Sequence, residues 1–422
     1  MADINIAKAP PASAVLPFYA TGSLAFCALC LLLFLSPASL TTHYFNPHLL
    51  AIVHTAALGW GTMIIFGAAH QLLPVICQED LFSPGMATFS WYTLTSGAFL
   101  LIWSFWNMWV GWIMITGGSL VILSAIMYLI NVLCTSRICK KYTLQKLFLV
   151  TSGCWLLFTT IAGLLLAINL AFPFFSKNHL DILKLHAHAG LAGWFLQLIT
   201  GVSSKLVPMF LLGKSSKEQL LKYAYALQNA GMALFLLDGY FMGVGNRVII
   251  YIILVLTGSI CWILYLYDAY KHRVRKKTDT QMKHTFISMI CLVCSFALLP
   301  LVYYFPDSHQ WALLYGTLLF MGWVTGIILG KTFKTLPFIV WNGHYKNLSG
   351  KIKVPLPKQL YNEGLIVWQF RLYIAALILL SAGVITRNLF VIRIALGIWL
   401  AVAAVYIYNV LKILMHKTTV PQ

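Results

Sequence analysis

Long stretches without charged residues make up most of this sequence. Of its 422 residues, 60% are hydrophobic and only 9% are charged. Lipid offers the backbone no hydrogen-bond partners, so a chain of this kind crosses a membrane either as helices or as a closed barrel. Unbroken apolar stretches of about 20 residues are typical of helices, whereas barrel strands are shorter and alternate in polarity. The sequence therefore predicts an all-α polytopic membrane protein.

Twelve stretches are candidate transmembrane helices. They cover residues 15–36, 49–73, 88–108, 111–133, 147–171, 186–210, 220–243, 248–269, 285–305, 312–334, 365–385 and 390–412. Most Lys and Arg residues lie in the N-terminal segment, in the connections that follow even-numbered spans and in the C-terminal tail. Because basic connections stay in the cytoplasm, both termini are predicted to be cytoplasmic.

The strongly positive net charge helps to decide whether the expected partner is lipid or nucleic acid. The chain has 29 Lys and Arg residues against 10 Asp and Glu, a formal net charge of +19. The basic runs, such as RICKK at 137–141 and KHRVRKK at 271–277, sit in connections on one predicted side of the membrane. Charge placed in this way sets topology and attracts anionic lipid. The expected partner is the lipid bilayer of the inner (cell) membrane, and no nucleic acid is expected.

A motif of 21 residues occurs three times. The copies are HTAALGWGTMIIFGAAHQLLP from His54, HAGLAGWFLQLITGVSSKLVP from His188 and TLLFMGWVTGIILGKTFKTLP from Thr317. All three share a Gly-Trp pair, a single Gly and a closing Pro at the same offsets, and such self-similarity indicates a repeat architecture. We predict a single membrane domain, 1–422, of three pseudo-symmetric four-helix units at about 1–140, 141–280 and 281–422, with the motif on spans 2, 6 and 10.

Histidines at the start of two copies are candidate metal ligands. His54 and His188 occupy the first position, and His186 precedes His188 by two residues. Two residues correspond to about 200° of helix rotation, so His186 and His188 face nearly opposite directions. Imidazole is costly to bury in hydrocarbon without a partner, and it suits both iron and copper. Equivalent histidines on two helices fit two axial ligands of a haem or part of a copper site; the alternative is a pair of structural histidines bonded to nearby carbonyls.

These motifs resemble catalytic subunit I of the heme-copper oxidase and nitric oxide reductase superfamily. The likeness is carried by HLLAIVHTAALGWGTMIIFGAAHQLLP from His48 and LKLHAHAGLAGWFLQLITGVSSKLVP from Leu183, together with twelve spans in three units. The sequence is most similar to the short, divergent branch described as cytochrome c and quinol oxidase subunit I-like. The nitric-oxide-response family NnrS is a near neighbour in pattern.

The resemblance implies roles for particular residues. His54 matches the span 2 ligand of a low-spin haem, and His188 lies where span 6 donates a copper ligand. Arg387 and Arg393, in or beside the turn between spans 11 and 12, match the arginines that hold the haem propionates. The implied cofactor is haem, of b type, with copper as a second cofactor.

The sequence departs from the family pattern in two places. Span 7 lacks the adjacent His pair, and span 10 has Tyr315 and Thr317 in place of His-x-His. The copper site and the high-spin haem therefore lack their usual ligands. However, His186-Ala-His188 is itself a His-x-His motif on span 6, the counterpart of span 10. This arrangement suggests the hypothesis that His54 pairs with His186 or His188 across one haem near the outer surface.

Two functions follow from these features. The first is a haem-binding integral membrane protein of oxidase subunit I type, which transfers electrons or binds or reduces a small diatomic gas, O₂ or NO. It would be an oxidoreductase of a respiratory chain, with a separate cytochrome c or quinol donor and other membrane subunits as partners. The alternative is a haem-free transporter, or an assembly or structural subunit, on the same scaffold. For a carrier, the buried charges to consider are Asp238, Asp268 and Arg371.

Overall fold

The computed structural model describes residues 10–138 and 143–418. Apart from connections, short 3₁₀ turns and one isolated bridge, these residues are helical. The long helices are α1 Leu16–Leu35, α2 Pro47–Cys77, α3 Pro84–Trp106, α4 Trp112–Ile138, α5 Leu144–Ala171, α6 His179–Leu211, α7 Glu218–Phe241, α8 Val248–Lys271, α9 Thr280–Tyr304, α10 His309–Tyr345, α11 Glu363–Thr386 and α12 Leu389–Leu414.

Ten helices in the described part of the chain are long and apolar enough to cross a membrane. The all-α, multi-pass class predicted from the apolar stretches is therefore confirmed. Helices α3 and α7 coincide with predicted spans 3 and 7 but are not among the ten. That twelve helices cross the bilayer stays a prediction. So does the cytoplasmic position of both termini, where residues 1–9 and 419–422 lie outside the described residues.

Several helices begin at residues whose side chains cap free backbone N–H groups. Asn362 accepts a hydrogen bond from the backbone N of Leu365 at the start of α11. Asn388 accepts from the backbone N of Phe390 and Val391 at the start of α12. Asn is a preferred N-cap because its short side chain reaches the first-turn donors that lack a helical partner. These polar residues define where the apolar helices start.

The chain folds into two compact units. Unit one contains His70–Gly97 and Val110–Thr278, which includes α4 to α8. Unit two contains Pro11–Ala69, Ala98–Trp109 and the chain from Asp279 onward, which includes α1 and α9 to α12. The single domain with repeat boundaries at about 140 and 280 remains a sequence-based prediction.

Unit one contains a buried polar network between α6 and α7. The side-chain amide of Gln197 donates to Oε1 of Gln228 at 3.2 Å, and Nδ2 of Asn229 donates to Oε1 of Gln197 at 3.2 Å. The indole of Trp155 on α5 donates to Oδ1 of Asn229 at 2.8 Å. Buried amides of this kind are stable only when their donors and acceptors are paired. The network therefore fixes the register of α5, α6 and α7 against one another.

Unit two is built around packed aromatic rings. Phe26 of α1 stacks on Trp60 of α2, with ring centroids 4.5 Å apart, and both rings pack edge-on against Tyr406 of α12. The Trp60 indole donates to Oγ1 of Thr325 on α10 at 3.0 Å. Large aromatic rings contribute most of the buried area in such a core, and their polar atoms need partners. This cluster ties α1, α2, α10 and α12 together.

The single Gly of each motif copy lies directly against the preceding long helix of its repeat. A Cβ atom placed on any of these glycines would lie under 3 Å from its neighbour, so a larger residue would push the helices apart. The contacts are Gly67 with Phe18, Gly201 with Phe148, and Gly330 with Gln281 and His284. The invariant glycine of the motif therefore serves close helix packing, the same role in all three copies.

Two of the buried charges are satisfied locally in unit one. Asp268 accepts hydrogen bonds from Oγ of Ser215 at 2.7 Å and from the backbone N of Ser216 at 3.2 Å, so it fixes the α6–α7 connection to α8. Asp238 forms an ion pair with Arg247 at 3.2 Å, near the other ends of α7 and α8. Both carboxylates thus have structural partners within their own unit.

Asp268→Ala is expected to destabilise the protein by about 1–3 kcal/mol, the usual cost of leaving a buried donor without its acceptor. The control is Arg247→Gln, which removes only the 54% exposed partner of Asp238; such solvated pairs contribute about 0–1 kcal/mol. Chemical unfolding of the detergent-solubilised variants measures both values. An equal loss of unfolding free energy in the two variants would contradict the larger structural contribution predicted for Asp268.

Candidate functional site

Each motif copy contains a π-helical segment that begins at its second residue. The segments are Thr55–Thr62 in α2, Ala189–Leu196 in α6 and Leu318–Val324 in α10. π-Helix is rare, and where it interrupts an α-helix it is frequently found at functional sites. The first motif residue, His or Thr, is in every copy the last residue before the π segment. The three copies therefore share a backbone irregularity as well as a sequence.

His54 is held by its own helix. Its Nδ1 lies 2.7 Å from the carbonyl oxygen of Leu50, and its ring stacks on Phe105 with centroids 4.6 Å apart. A carbonyl oxygen only accepts, so Nδ1 is the protonated nitrogen and the lone pair is on Nε2. The half-buried ring is therefore fixed in the tautomer that ligates a metal through Nε2.

His188 repeats this arrangement in unit one. Its Nδ1 lies 2.8 Å from the carbonyl oxygen of Lys184, again four residues earlier on the helix. The ring packs edge-on against Phe235 of α7, with centroids 5.5 Å apart. The two histidines that start the motif thus adopt the same hydrogen bond, tautomer and backbone setting in their respective units.

His186 has a different environment. Its Nδ1 donates to the carbonyl oxygen of Thr159 on α5 at 3.0 Å, and the ring lies directly on Gly163, where a Cβ atom would be 2.8 Å from Cε1. His186 therefore faces α5 whereas His188 faces α7, as their two-residue spacing requires. This bond also leaves the ring in the tautomer with the lone pair on Nε2.

The donor chemistry of these three histidines fits haem iron. Histidines that ligate a metal usually donate their second ring N–H to a carbonyl or carboxylate, which orients the ring and makes the ligating nitrogen more basic. His54, His186 and His188 all make such a bond. Within residues 10–138 and 143–418, no three His, Cys, Asp or Glu side chains form a group able to hold a metal ion. Copper stays an expectation from the sequence.

The two arginines lie at the junction of α11 and α12. Arg387 adopts the left-handed conformation that ends α11, and its Nε donates to Oε1 of Gln310 at 2.7 Å. Arg393 lies in the first turns of α12, and both side chains are exposed. Neither forms an ion pair with another described residue. Their charges are therefore not neutralised by a carboxylate, which suits the role of binding an anionic group.

One unusual buried residue was missed by the sequence reasoning. His284 in α9 is fully buried against Phe370 and Tyr373, and neither ring nitrogen has a hydrogen-bond partner among the described residues. It occupies the position against the motif glycine that Phe18 and Phe148 hold in the other copies. Predicted span 9 began at residue 285, and the motif does not extend to this helix, so no sequence signal singled His284 out.

Comparison with solved structures reveals a similar fold in a heme-copper terminal oxidase, determined as a dimer by cryo-EM. The TM-score is 0.66, and the match covers 97% of this chain and 85% of that chain at 10% sequence identity. The chain therefore shares the overall fold of that oxidase. A scan against protein families and a search of curated proteins give no match. The resemblance stated from the motifs is thus supported at the level of fold, while the divergent branch and the NnrS neighbour stay predictions.

Proposed function

We propose that this protein is a haem-binding integral membrane protein of oxidase subunit I type, which transfers electrons or binds or reduces a small diatomic gas, O₂ or NO. One observation carries the proposal: His54 and His188 share the same Nδ1 bond to the carbonyl four residues earlier, at the residue that precedes a π segment. The similar structure is a heme-copper terminal oxidase, and that likeness supports the assignment.

In this proposal each residue has a definite task. His54 would hold the haem iron through Nε2, His186 or His188 is the candidate second ligand indicated by the sequence, and Arg387 and Arg393 would bind the propionates. A bound b-type haem would supply one-electron exchange. With two histidines on the iron no position is free for a gas, so gas binding would require the second histidine to leave. The chain's own part is to orient each imidazole through its Nδ1 bond and to shield one face of the His54 ring with Phe105. A separate cytochrome c or quinol would donate the electrons, with other inner-membrane subunits as partners.

The chemistry proposed is narrower than that of a complete oxidase. In α10 the motif starts with Thr317, which is buried, and Tyr315 stands two residues earlier. Neither residue supplies the imidazoles that the family uses for its high-spin haem and copper. We therefore propose a low-spin haem centre and do not propose oxygen reduction coupled to proton pumping.

A reduced-minus-oxidised absorption spectrum of the detergent-purified protein tests this proposal, with iron and copper quantified on the same sample. A low-spin b-type signal with stoichiometric iron is the expected result. Protein that is folded but free of haem and iron, even after incubation with haem, would overturn the proposal. It would favour the alternative, a haem-free transporter or an assembly or structural subunit on the same scaffold.

A further inference from the structure

Two buried polar side chains of unit two have no hydrogen-bond partner among the described residues. His284 of α9 and Gln369 of α11 are each 0% exposed. Both ring nitrogens of His284 and both polar amide atoms of Gln369 are unpaired within the described part of the chain. The large majority of buried polar groups in proteins have a partner. These atoms therefore point to a partner other than the described residues.

The two side chains border the same part of the contact between α9 and α11. The His284 ring packs against Phe370, the residue next to Gln369, with ring centroids 4.9 Å apart. It also packs against Tyr373, one turn further along α11, at 5.2 Å. The Tyr373 hydroxyl donates its proton to the carbonyl oxygen of Gly322 at 2.6 Å, so it does not donate to His284. A small molecule at this contact would reach both unpaired side chains.

The chemistry of the unpaired atoms selects a ligand that both donates and accepts hydrogen bonds. A neutral imidazole has one donor and one acceptor, and a side-chain amide has two donor hydrogens and an acceptor oxygen. A metal cation would leave the donors unpaired, and an anion would leave the acceptors unpaired. No group of three metal-ligating side chains occurs within residues 10–138 and 143–418. Water satisfies both kinds of atom, and a buried water typically makes about three hydrogen bonds.

The position of His284 in the repeat also favours water. Phe18 and Phe148 hold the corresponding position against the motif glycines of the other two copies. An imidazole is smaller than a phenyl ring, and a water molecule takes up only about 30 Å³. His284 lies four residues after the start of α9, about 6 Å along the helix axis, so the connection predicted to be cytoplasmic is close. The third copy thus has a small polar ring where the other copies have an apolar one.

We propose that His284 and Gln369 bind at least one internal water molecule between α9 and α11. The water accepts a hydrogen bond from one side chain and donates to the other, which joins them nearly as well as a direct bond. The third copy of the motif then has a hydrated helix contact, whereas phenylalanine makes the contacts at Gly67 and Gly201. The proposal uses no residue of the proposed haem site and holds whether or not haem binds.

Radiolytic hydroxyl-radical footprinting of the full-length, detergent-purified protein tests this proposal. Radicals form from water at the site, so a side chain beside an internal water is oxidised although bulk solvent does not reach it. His284 and Tyr373 are expected to be oxidised several-fold faster than Phe18 and Phe148, although all four are 0% exposed. The two phenylalanines are matched controls because they hold the position of His284 in the other copies. Mass spectrometry of proteolytic peptides gives the rate for each residue.

The double variant His284→Phe/Gln369→Leu removes all the unpaired atoms of this contact. Oxidation of Tyr373 should then fall to the rate of Phe148. The Tm should stay close to that of the parent protein, because replacing both polar partners by apolar groups leaves no buried polar atom without a partner. Thermal unfolding in detergent shows whether the variant is folded, and the comparison within the parent protein decides the outcome if it is not.

Two results would overturn the proposal. Oxidation of His284 and Tyr373 no faster than that of the two phenylalanines would show that no water lies at the contact. It would indicate that His284 and Gln369 rearrange to bond each other directly. Unchanged oxidation of Tyr373 in the folded double variant would show that the radicals come from water held elsewhere.

Discussion

Replacing His54 with alanine is expected to abolish the low-spin haem spectrum of the purified protein. The imidazole has Nδ1 bonded to the carbonyl of Leu50 and Nε2 turned to the ligating role in the proposed site, so its loss would remove one of the proposed ligands of the iron. His54→Phe should give the same loss while keeping an aromatic ring against Phe105. Absorption spectra and haem content per chain measure both effects.

The matched control is His48→Ala, on the same helix. His48 bonds Oγ of Ser36 and packs on Trp106, which are structural contacts in unit two. This variant should keep its haem. An unchanged spectrum in His54→Ala would contradict the proposal that His54 is a haem ligand. Separate alanine replacements at His186 and His188 test which of the two, if either, is the second ligand.

Replacing Gly201 with leucine is expected to prevent stable folding of unit one. An added Cβ atom would overlap Cβ of Phe148, and that atom cannot move away unless helix α5 moves with it. Even Gly201→Ala should cost about 1–3 kcal/mol, the usual penalty of overpacking a tight core. Thermal unfolding in detergent, followed by circular dichroism, measures the loss.

Gly397→Ala is the control for this substitution. A Cβ atom at Gly397 of α12 meets nothing within 4 Å. Alanine favours a helix over glycine by about 1 kcal/mol, so this variant should be as stable as the parent protein or slightly more stable. If Gly201→Ala matched Gly397→Ala, the motif glycine would not be needed for close packing.

The sequence was sufficient to predict the class of the protein and the helices that carry the motif. Apolar length determines transmembrane helices directly, because lipid leaves the backbone no other way to satisfy its hydrogen bonds. The repeated Gly-Trp and single Gly located the helices that contain π segments and close contacts. The sequence could not show which residue packs against each motif glycine. The contacting residues Phe18, Phe148 and His284 precede their glycines by different numbers of residues, so they form no repeated pattern.

The site was predicted only as a set of residue types. The sequence indicated His54, His186 and His188, but the tautomer of each depends on the carbonyl that its Nδ1 contacts. For His54 and His188 that carbonyl lies on the same helix, whereas for His186 it belongs to Thr159 on another helix. The amide network around Gln197 could not be predicted from the sequence either, because its members lie on separate helices.

The π segments also determine how the motif can change in length. A π turn spans one more residue per hydrogen bond than an α turn, so it is equivalent to a residue inserted into an α-helix. Deleting one residue within Thr55–Thr62 would restore an ordinary α-helix and keep later residues on their original face. The same deletion elsewhere in α2 would rotate every later residue by about 100°. The π segments are thus the places where a variant of this chain can lose one residue without losing the packing of the motif.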